Sequence, residues 1–247
     1  MIILKLGGSV ITDKTKYKKF RTRVVRRLVK ELPKTDLIIV HGGGSFGHII
    51  SKKYSLQEGL TNQNILKFVQ VQTDMIELNM KILDMLLNAK IPATSLPVHS
   101  FHIYDQKFEF GIFEDFLKLG FVPVTYGDII LNTEKKVAIC SGDYLVEKLA
   151  EHFKPEQVIF VTDVDGIYTK NPKLYKNAKF IKELSLSDDI EAEMSIDDVT
   201  GGIRGKLENI KKIINNVESV TIVNGLVSGR VRNIILKNDE ISTKIKR

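Results

Sequence analysis

Apolar and polar positions change period repeatedly along the chain, and the changes predict its elements. Ile2–Leu6, Gln157–Thr162 and residues 36–41 and 219–223 are short runs that are almost uniformly apolar. Such runs mark strands of a parallel sheet covered on both faces. Over 21–32, 62–89, 143–153 and 202–217 the apolar residues return every three or four positions, the spacing of one buried helix face. The helix over 62–89 is expected to break once. Residues 92–98 and 121–126 read as further short strands. Two hairpins are expected, over 99–110 with its turn near Asp105 and over 129–139 with its turn near Thr133-Glu134. Strands alternating with helices predict an α/β fold, a three-layer αβα sandwich around a mainly parallel open sheet. No repeat, low-complexity tract or linker interrupts the pattern, so 1–247 reads as a single domain.

Composition narrows the functional classes. Apolar residues make up 43% and charged residues 27% of 247, which are globular values. The longest apolar runs fall far short of the ~20 residues that span a bilayer, so no membrane association is expected. The N-terminus lacks a basic region and a cleavage site, which argues against a secretory signal. One cysteine, Cys140, excludes an internal disulfide and a cysteine metal cage. A cytoplasmic location is the expectation. Lys plus Arg is 37 against 30 for Asp plus Glu, a net charge of +7. That balance suits a nucleic-acid binder or an enzyme for anionic substrates. Much of the excess lies between Lys14 and Lys30, opposite the stripe Val24, Val25, Leu28, Val29 and Leu32. No aromatic residues for base stacking are interleaved with it. The basic face therefore reads as solvated, and nucleic acid is not an expected partner.

Glycines cluster where predicted strands end and helices begin: Gly7-Gly8, Gly42-Gly43-Gly44 with Gly47, Gly142, and Gly201-Gly202. Ligands of open α/β sheets bind at the carboxyl ends of the strands. Glycine there lets backbone N–H groups approach an anion at a helix start. One such loop is ordinarily a tight turn; four of them, flanked by Lys, Ser, Thr, His or Asp, read as a polyphosphate cradle. Gly42 to Gly47 matches G-x-G-x-x-G, but no second strand ends in an acidic residue about 20 positions on, as dinucleotide binding requires. The P-loop pattern is absent, because Leu207 follows Gly205-Lys206.

Five ordered stretches carry a resemblance. Lys5-Leu6-Gly7-Gly8-Ser9, His41-Gly42-Gly43-Gly44, Ser141-Gly142-Asp143, Thr162-Asp163-Val164-Asp165-Gly166-Ile167-Tyr168, and Thr200-Gly201-Gly202 up to Lys206 resemble the amino acid kinase superfamily. Ser45-Phe46-Gly47-His48, Val10-Ile11-Thr12-Asp13-Lys14 and Tyr126-Gly127-Asp128 resemble its isopentenyl phosphate kinase branch. Fosfomycin kinases share part of this signature. The match fades between Tyr54 and Asn64, and Ser242-Thr243 stands where the family usually ends in Gly-Thr.

The resemblance implies ATP and Mg2+ as cofactors, a small-molecule phosphate as substrate and a homodimer. It also implies lobes of 1–126 for the phosphate acceptor and 127–247 for the nucleotide. Lys14, Lys5 and His48 would be catalytic. Lys5, Leu6, Gly7, Gly8, Ser9, Gly44, Asp163, Gly202 and Lys206 would hold ATP, and the loop at Lys170-Asn171-Pro172 would lie near adenine. Gly43, His48 and Gly142 would contact the acceptor. Phe68, Val71 and Met75, at helical spacing, are either ordinary core or the wall of a prenyl slot. His48 is expected in the first turn of a helix, and His41 is expected to be structural. No metal ligand is assigned to the protein. A related kinase for another anionic acceptor, or a nucleotide-binding regulator without turnover, stays open beside this reading.

Overall fold

The computed structural model describes residues 1–105, 107–170, 172, 174–185 and 201–246, without the side chains of 201–207. The chain runs β1 (Ile2–Leu6), α1 (Gly8–Ile11), α2 (Thr22–Leu28), β2 (Leu37–His41), α3 (Gly44–Lys53), α4 (Ile65–Asn88), β3 (Ala93–Ser95), β4 (His102–Tyr104), β5 (Lys107–Phe108) and α5 (Gly111–Lys118). Then come β6 (Val122–Tyr126), β7 (Asp128–Asn132), β8 (Lys136–Cys140), α6 (Gly142–Phe153), β9 (Gln157–Thr162), β10 (Ile167–Tyr168), β11 (Phe180–Ile181) and β12 (Glu183–Ser185). The last elements are α7 (Gly201–Ile214), β13 (Ser219–Asn224), α8 (Arg230–Ile235) and β14 (Ser242–Lys246).

Eight strands form one sheet in the order β12-β14-β13-β9-β1-β2-β6-β3. β1 lies between β2 and β9, parallel to both. Only at one edge does the direction reverse, where β14 runs antiparallel to β13 and β12 follows β14. One core, with Phe113, Leu145, Leu149 and Ile213, packs α5, α6 and α7 on one face. The other, with Val10, Leu28, Phe46, Leu78 and Val231, packs α1 to α4 and α8 on the opposite face. The layers are those expected. Alternation along β1 sends Leu4 and Leu6 into the second core and Ile3 into the first.

The helix expected to break is continuous over Ile65–Asn88. It holds no Gly or Pro, and Phe68, Val71, Met75, Leu78, Ile82 and Leu86 keep one face buried throughout. Each such side chain removed from water contributes roughly 1.5–3 kcal/mol, and a break would expose part of that face. Both hairpins form, as β4–β5 and β7–β8. Asp105 sits at positive φ in the first and accepts the Thr133 amide of the second at 2.7 Å, tying the two tips together. α5 was not expected; its eight residues contain only one fully buried side chain, Phe113, too little for a period to show. Among the described residues, no helix is long and apolar enough to cross a membrane.

Candidate active site

The carboxyl ends of β1, β2 and β9 bring the glycine loops together. Gly7 N donates to Val161 O at 2.9 Å, so the first loop leans on the end of β9. Gly8 and Ser9 open α1, where amides lack intrahelical acceptors. A Cβ on Gly8 would stand 2.4 Å from Gly44 N and 2.6 Å from Gly44 Cα, so the two loops abut backbone to backbone. Gly44 itself has φ +49°, which a side chain would strain. Thr12, fully buried, braces this junction: its hydroxyl donates to Gly8 O at 2.7 Å and accepts the Ser45 amide at 2.9 Å.

Two lysines and a histidine singled out in the sequence lie beside the loops. Lys5 projects from β1 toward α6, and its Nζ lies 2.5 Å from Asp143 Oδ1. Only 7% of Lys5 is exposed, and a cation buried that far needs an opposite charge to remain ionised. Lys14 is exposed on the loop after α1. His48 lies within electrostatic reach of Lys14, Lys5 and Asp143. Although its ring reaches solvent, the surrounding protein withdraws it from water and lowers its pKa, and Lys14 and Lys5 lower it further. In the protein alone the imidazole is thus neutral near pH 7.

His48 lies one turn deeper than expected. α3 begins at Gly44, not after Gly47, because Gly43 O already accepts the Phe46 and Gly47 amides at 3.0 and 3.1 Å. The helix start therefore belongs to Gly43 and Gly44, with His48 above it on the exposed side.

The proposed acceptor wall packs below these loops. A Cβ on Gly43 or Gly47 would meet Met75 Sδ at 3.1 or 3.2 Å. Phe68, Val71 and Met75 are at most 5% exposed and belong to the second core. Gly142 opens α6 against the His41 carbonyl and the Lys5 stem. His41 is fully buried, stacks on Tyr126 at 4.9 Å and lies 3.3 Å from Asn79 Oδ1. Burial lowers its pKa to about 4, so it is a neutral packing residue. Cys140 is no nucleophile, since burial and then the Asp128 charge push its thiol up to about 12.

At the β9 end, Ser9 Oγ donates to Asp163 Oδ1 at 2.8 Å, joining the first loop to the Thr162–Asp163 turn. Asp165 is committed elsewhere. Burial pushes its pKa up, but hydrogen bonds from Asn224 and Arg230 and the Arg230 charge outweigh this and hold it low. Its Oδ1 lies 2.5 Å from Arg230 and 2.9 Å from Asn224 Nδ2. Gly202 and Lys206 lie in the first turns of α7, but their side chains fall outside the described residues, as do Asn171 and most of the acidic stretch 183–198. Among the described residues, no three His, Cys, Asp or Glu side chains group as a metal cage.

Sequence reasoning missed two working parts: Asp143 as the partner of Lys5, and Thr12 as the brace between loops. Asp143 had a signal, since an acidic residue in a helix's first turn beside a strand-end lysine invites pairing. Thr12 lies within a motif already singled out, but the half of the brace that reaches Ser45, 33 residues away, leaves no local trace.

Comparison with known proteins gives the family. The amino acid kinase family model matches residues 1–224. The isopentenyl phosphate kinase of Thermoplasma acidophilum is 37% identical, covering 95% of this chain and 96% of that protein. The isopentenyl phosphate kinase of Methanothermobacter thermautotrophicus is 34% identical over 99% of this chain and 98% of its own. The solved product complex of the T. acidophilum enzyme superposes with a TM-score of 0.87 at 34% identity, covering all of both chains. A UMP kinase from Ureaplasma parvum, 15% identical with a TM-score of 0.69, shares the fold. The chain belongs to the amino acid kinase family and, within it, groups with the isopentenyl phosphate kinases.

Proposed function

We infer that the chain transfers the γ-phosphoryl group of ATP to isopentenyl phosphate, giving isopentenyl diphosphate and ADP. The observation that carries this reading is the abutment of the Gly8 and Gly44 loops, with Lys5 and Lys14 within electrostatic reach of His48 beside them. Near-full-length likeness to isopentenyl phosphate kinases supports the choice of acceptor. Incubation with ATP and isopentenyl phosphate, followed by 31P NMR, should show paired diphosphate resonances and ADP. Hydrolysis of ATP to ADP and free phosphate alone would reject the transfer.

The chemistry asks for charge and position rather than a base. A monophosphate has its second pKa near ~6, so the attacking oxygen is already deprotonated at neutral pH. The obstacle is repulsion between two anions, which cations and oriented amides offset. Lys5, held by Asp143, would meet the ATP phosphates, with the Gly7, Gly8, Ser9 and Gly44 backbone around them. Leu6 anchors that turn from the core. Asp163, Gly202 and Lys206 would form the nucleotide end. Lys14 would stabilise the phosphoryl in transit, and His48, with Gly43 and Gly142, would orient the acceptor phosphate. Phe68, Val71 and Met75 would back its prenyl chain from the core. Mg2+ fits as a companion of the ATP phosphates, since the described residues offer it no cage and Asp143 faces Lys5. When bound, it would add positive charge to those phosphates.

His48 makes a titration prediction. Its pKa starts below the usual 6.5, so the free imidazole is uncharged at pH 7.5. A dianionic phosphate beside it raises that pKa, so acceptor binding should take up protons. Calorimetry in buffers of different ionisation enthalpy should show this uptake, and His48→Gln should abolish it while keeping part of the activity, because an amide still donates. His48→Ala should raise acceptor KM roughly 10-fold and leave ATP affinity unchanged. Equal proton uptake in wild type and variants would remove His48 from the site.

The same reading makes the enzyme cytoplasmic, which the single, buried Cys140 supports, with lobes of 1–126 for the acceptor and 127–247 for ATP. It also makes the enzyme a homodimer. Support comes from α4, whose outer face exposes Leu66, Val69, Ile76, Met80 and Leu87. These residues follow the three-and-four spacing by which one helix packs on another. Light scattering should return twice the chain mass, and Val69→Glu with Met80→Glu should return the single mass. A monomeric wild type would reject the dimer.

A further inference from the structure

The loop that carries Lys14 is fastened to the helix beneath the acceptor side. Thr12 and Phe20 form an isolated antiparallel bridge, and Asp13 N donates to Lys19 O at 2.8 Å, so residues 13–19 make a closed turn. From that turn Tyr17 Oη donates to Asp74 Oδ2 at 2.5 Å. Lys18 Nζ lies 3.0 Å from Asp74 Oδ1 and also pairs with Glu77. Gln70 Nε2 donates to Tyr17 Oη at 3.0 Å, a further link to α4. Lys18 takes φ +55° to make this reach, a conformation that persists only where fixed contacts hold it.

Asp74 is the centre of this cluster. It is 4% exposed, and a carboxylate so buried is stable only when its oxygens are satisfied. Each oxygen receives one partner from the Lys14 loop, 56 or 57 positions away. The next residue, Met75, is the one that packs under Gly43 and Gly47. One helical turn therefore touches both the acceptor-side loop and the loop bearing Lys14.

We propose that Asp74 is a positioning residue, whose carboxylate grips Tyr17 and Lys18 and thereby sets Lys14 over the transferring phosphoryl group. The proposal rests on the reaction inferred above and adds a residue that touches neither substrate. It couples the seat of the acceptor to the placement of the charge that acts on it, because both hang on α4. Lys14, Lys16 and Lys19 are exposed on this loop, so the loop released from Asp74 becomes a run of trypsin sites.

Asp74→Asn keeps the shape but sets an amide donor against either Tyr17 Oη or Lys18 Nζ and removes the negative charge that Lys18 pairs with. It should lower kcat ~10-fold or more while leaving the KM for ATP within about twofold, since misplacement of a catalytic group costs the transition state. In a Lys14→Ala background the same change should cost nothing further, because residues acting through one group are non-additive. Trypsin cleavage between Lys14 and Arg21, read by mass spectrometry, should quicken ~10-fold, with cleavage at the distant Lys118 unchanged. Tyr17→Phe and Lys18→Met each spare one grip and should give intermediate values, which keeps the test alive if Asp74→Asn folds poorly. An undiminished loss in the Lys14→Ala background overturns the proposal. So does unchanged cleavage of the loop, which needs no substrate and is therefore read independently of the reaction. An inactive wild type whose loop is protected in the same way would reject the reaction alone.

Discussion

Lys14→Ala should lower kcat on the order of 10²-fold or more while changing the KM for ATP little. Lys5 and Lys14 both act electrostatically on His48, but their situations differ. Lys5 is buried and answered by Asp143, so part of its field is neutralised before substrate arrives. Lys14 is exposed, and among the described residues it has no ion-pair partner. Its charge is therefore available to the phosphoryl group as that group leaves ADP. A cation 4 Å from a unit negative charge interacts by ~4 kcal/mol at an effective dielectric near 20. A factor of 10² is ~2.7 kcal/mol, so even a partial increase in charge contact during transfer supplies it. Solvent at the exposed position weakens ground-state binding, which is why the loss should fall on kcat. Steady-state kinetics with near wild-type kcat would take Lys14 out of the mechanism.

Gly8→Ala should reduce kcat/KM for both substrates by ~10²-fold or more. The added methyl would lie 2.4 Å from Gly44 N and 2.6 Å from Gly44 Cα, so backbone rather than a flexible side chain would have to move. The junction is equally tight from the other loop, since a Cβ on Gly44 would meet Thr12 Oγ1 at 2.1 Å and Gly8 O at 2.6 Å. The loops must part, and the amides that face phosphate part with them. Stability should fall by about 1–3 kcal/mol, the usual cost of overpacking. Gly111→Ala is the matched control: nothing lies within 4 Å of its Cβ, so activity and melting temperature should hold. Full activity in Gly8→Ala would mean that the junction of the two loops is not the phosphate cradle.

Most of the sheet was legible because its strands are short apolar runs and its ligand loops are glycine-rich, both local signals. β1, β2 and β9 could be read this way, and so could the glycine loops at their ends, although the contact of Gly8 with Gly44 could not. The errors have physical causes. The expected break in α4 gave no weight to the absence of Gly and Pro from Ile65 to Asn88. The start of α3 was set too late because Gly43 and Gly44 read as loop, although the Gly43 carbonyl already accepts two amides of the helix. β12 is an edge strand of three residues and β14 carries a single apolar residue, Ile245, so pairing with distant partners defines both. The Tyr17–Asp74 contact spans 57 positions, and no periodicity reports a contact that long. A lysine-rich turn and a lone aspartate on a helix each look like solvated surface until the fold brings them together.

The identity of the acceptor is decided by a coupled ADP-release assay across a panel. Isopentenyl phosphate, fosfomycin, acetylglutamate and UMP would be compared at equal ATP and magnesium. Isopentenyl phosphate should show a kcat/KM at least ~10³-fold above every other acceptor, because a site built around a phosphate and a greasy chain leaves polar groups of the others unpaired. A higher kcat/KM for fosfomycin, or ADP release that no acceptor stimulates, would contradict it.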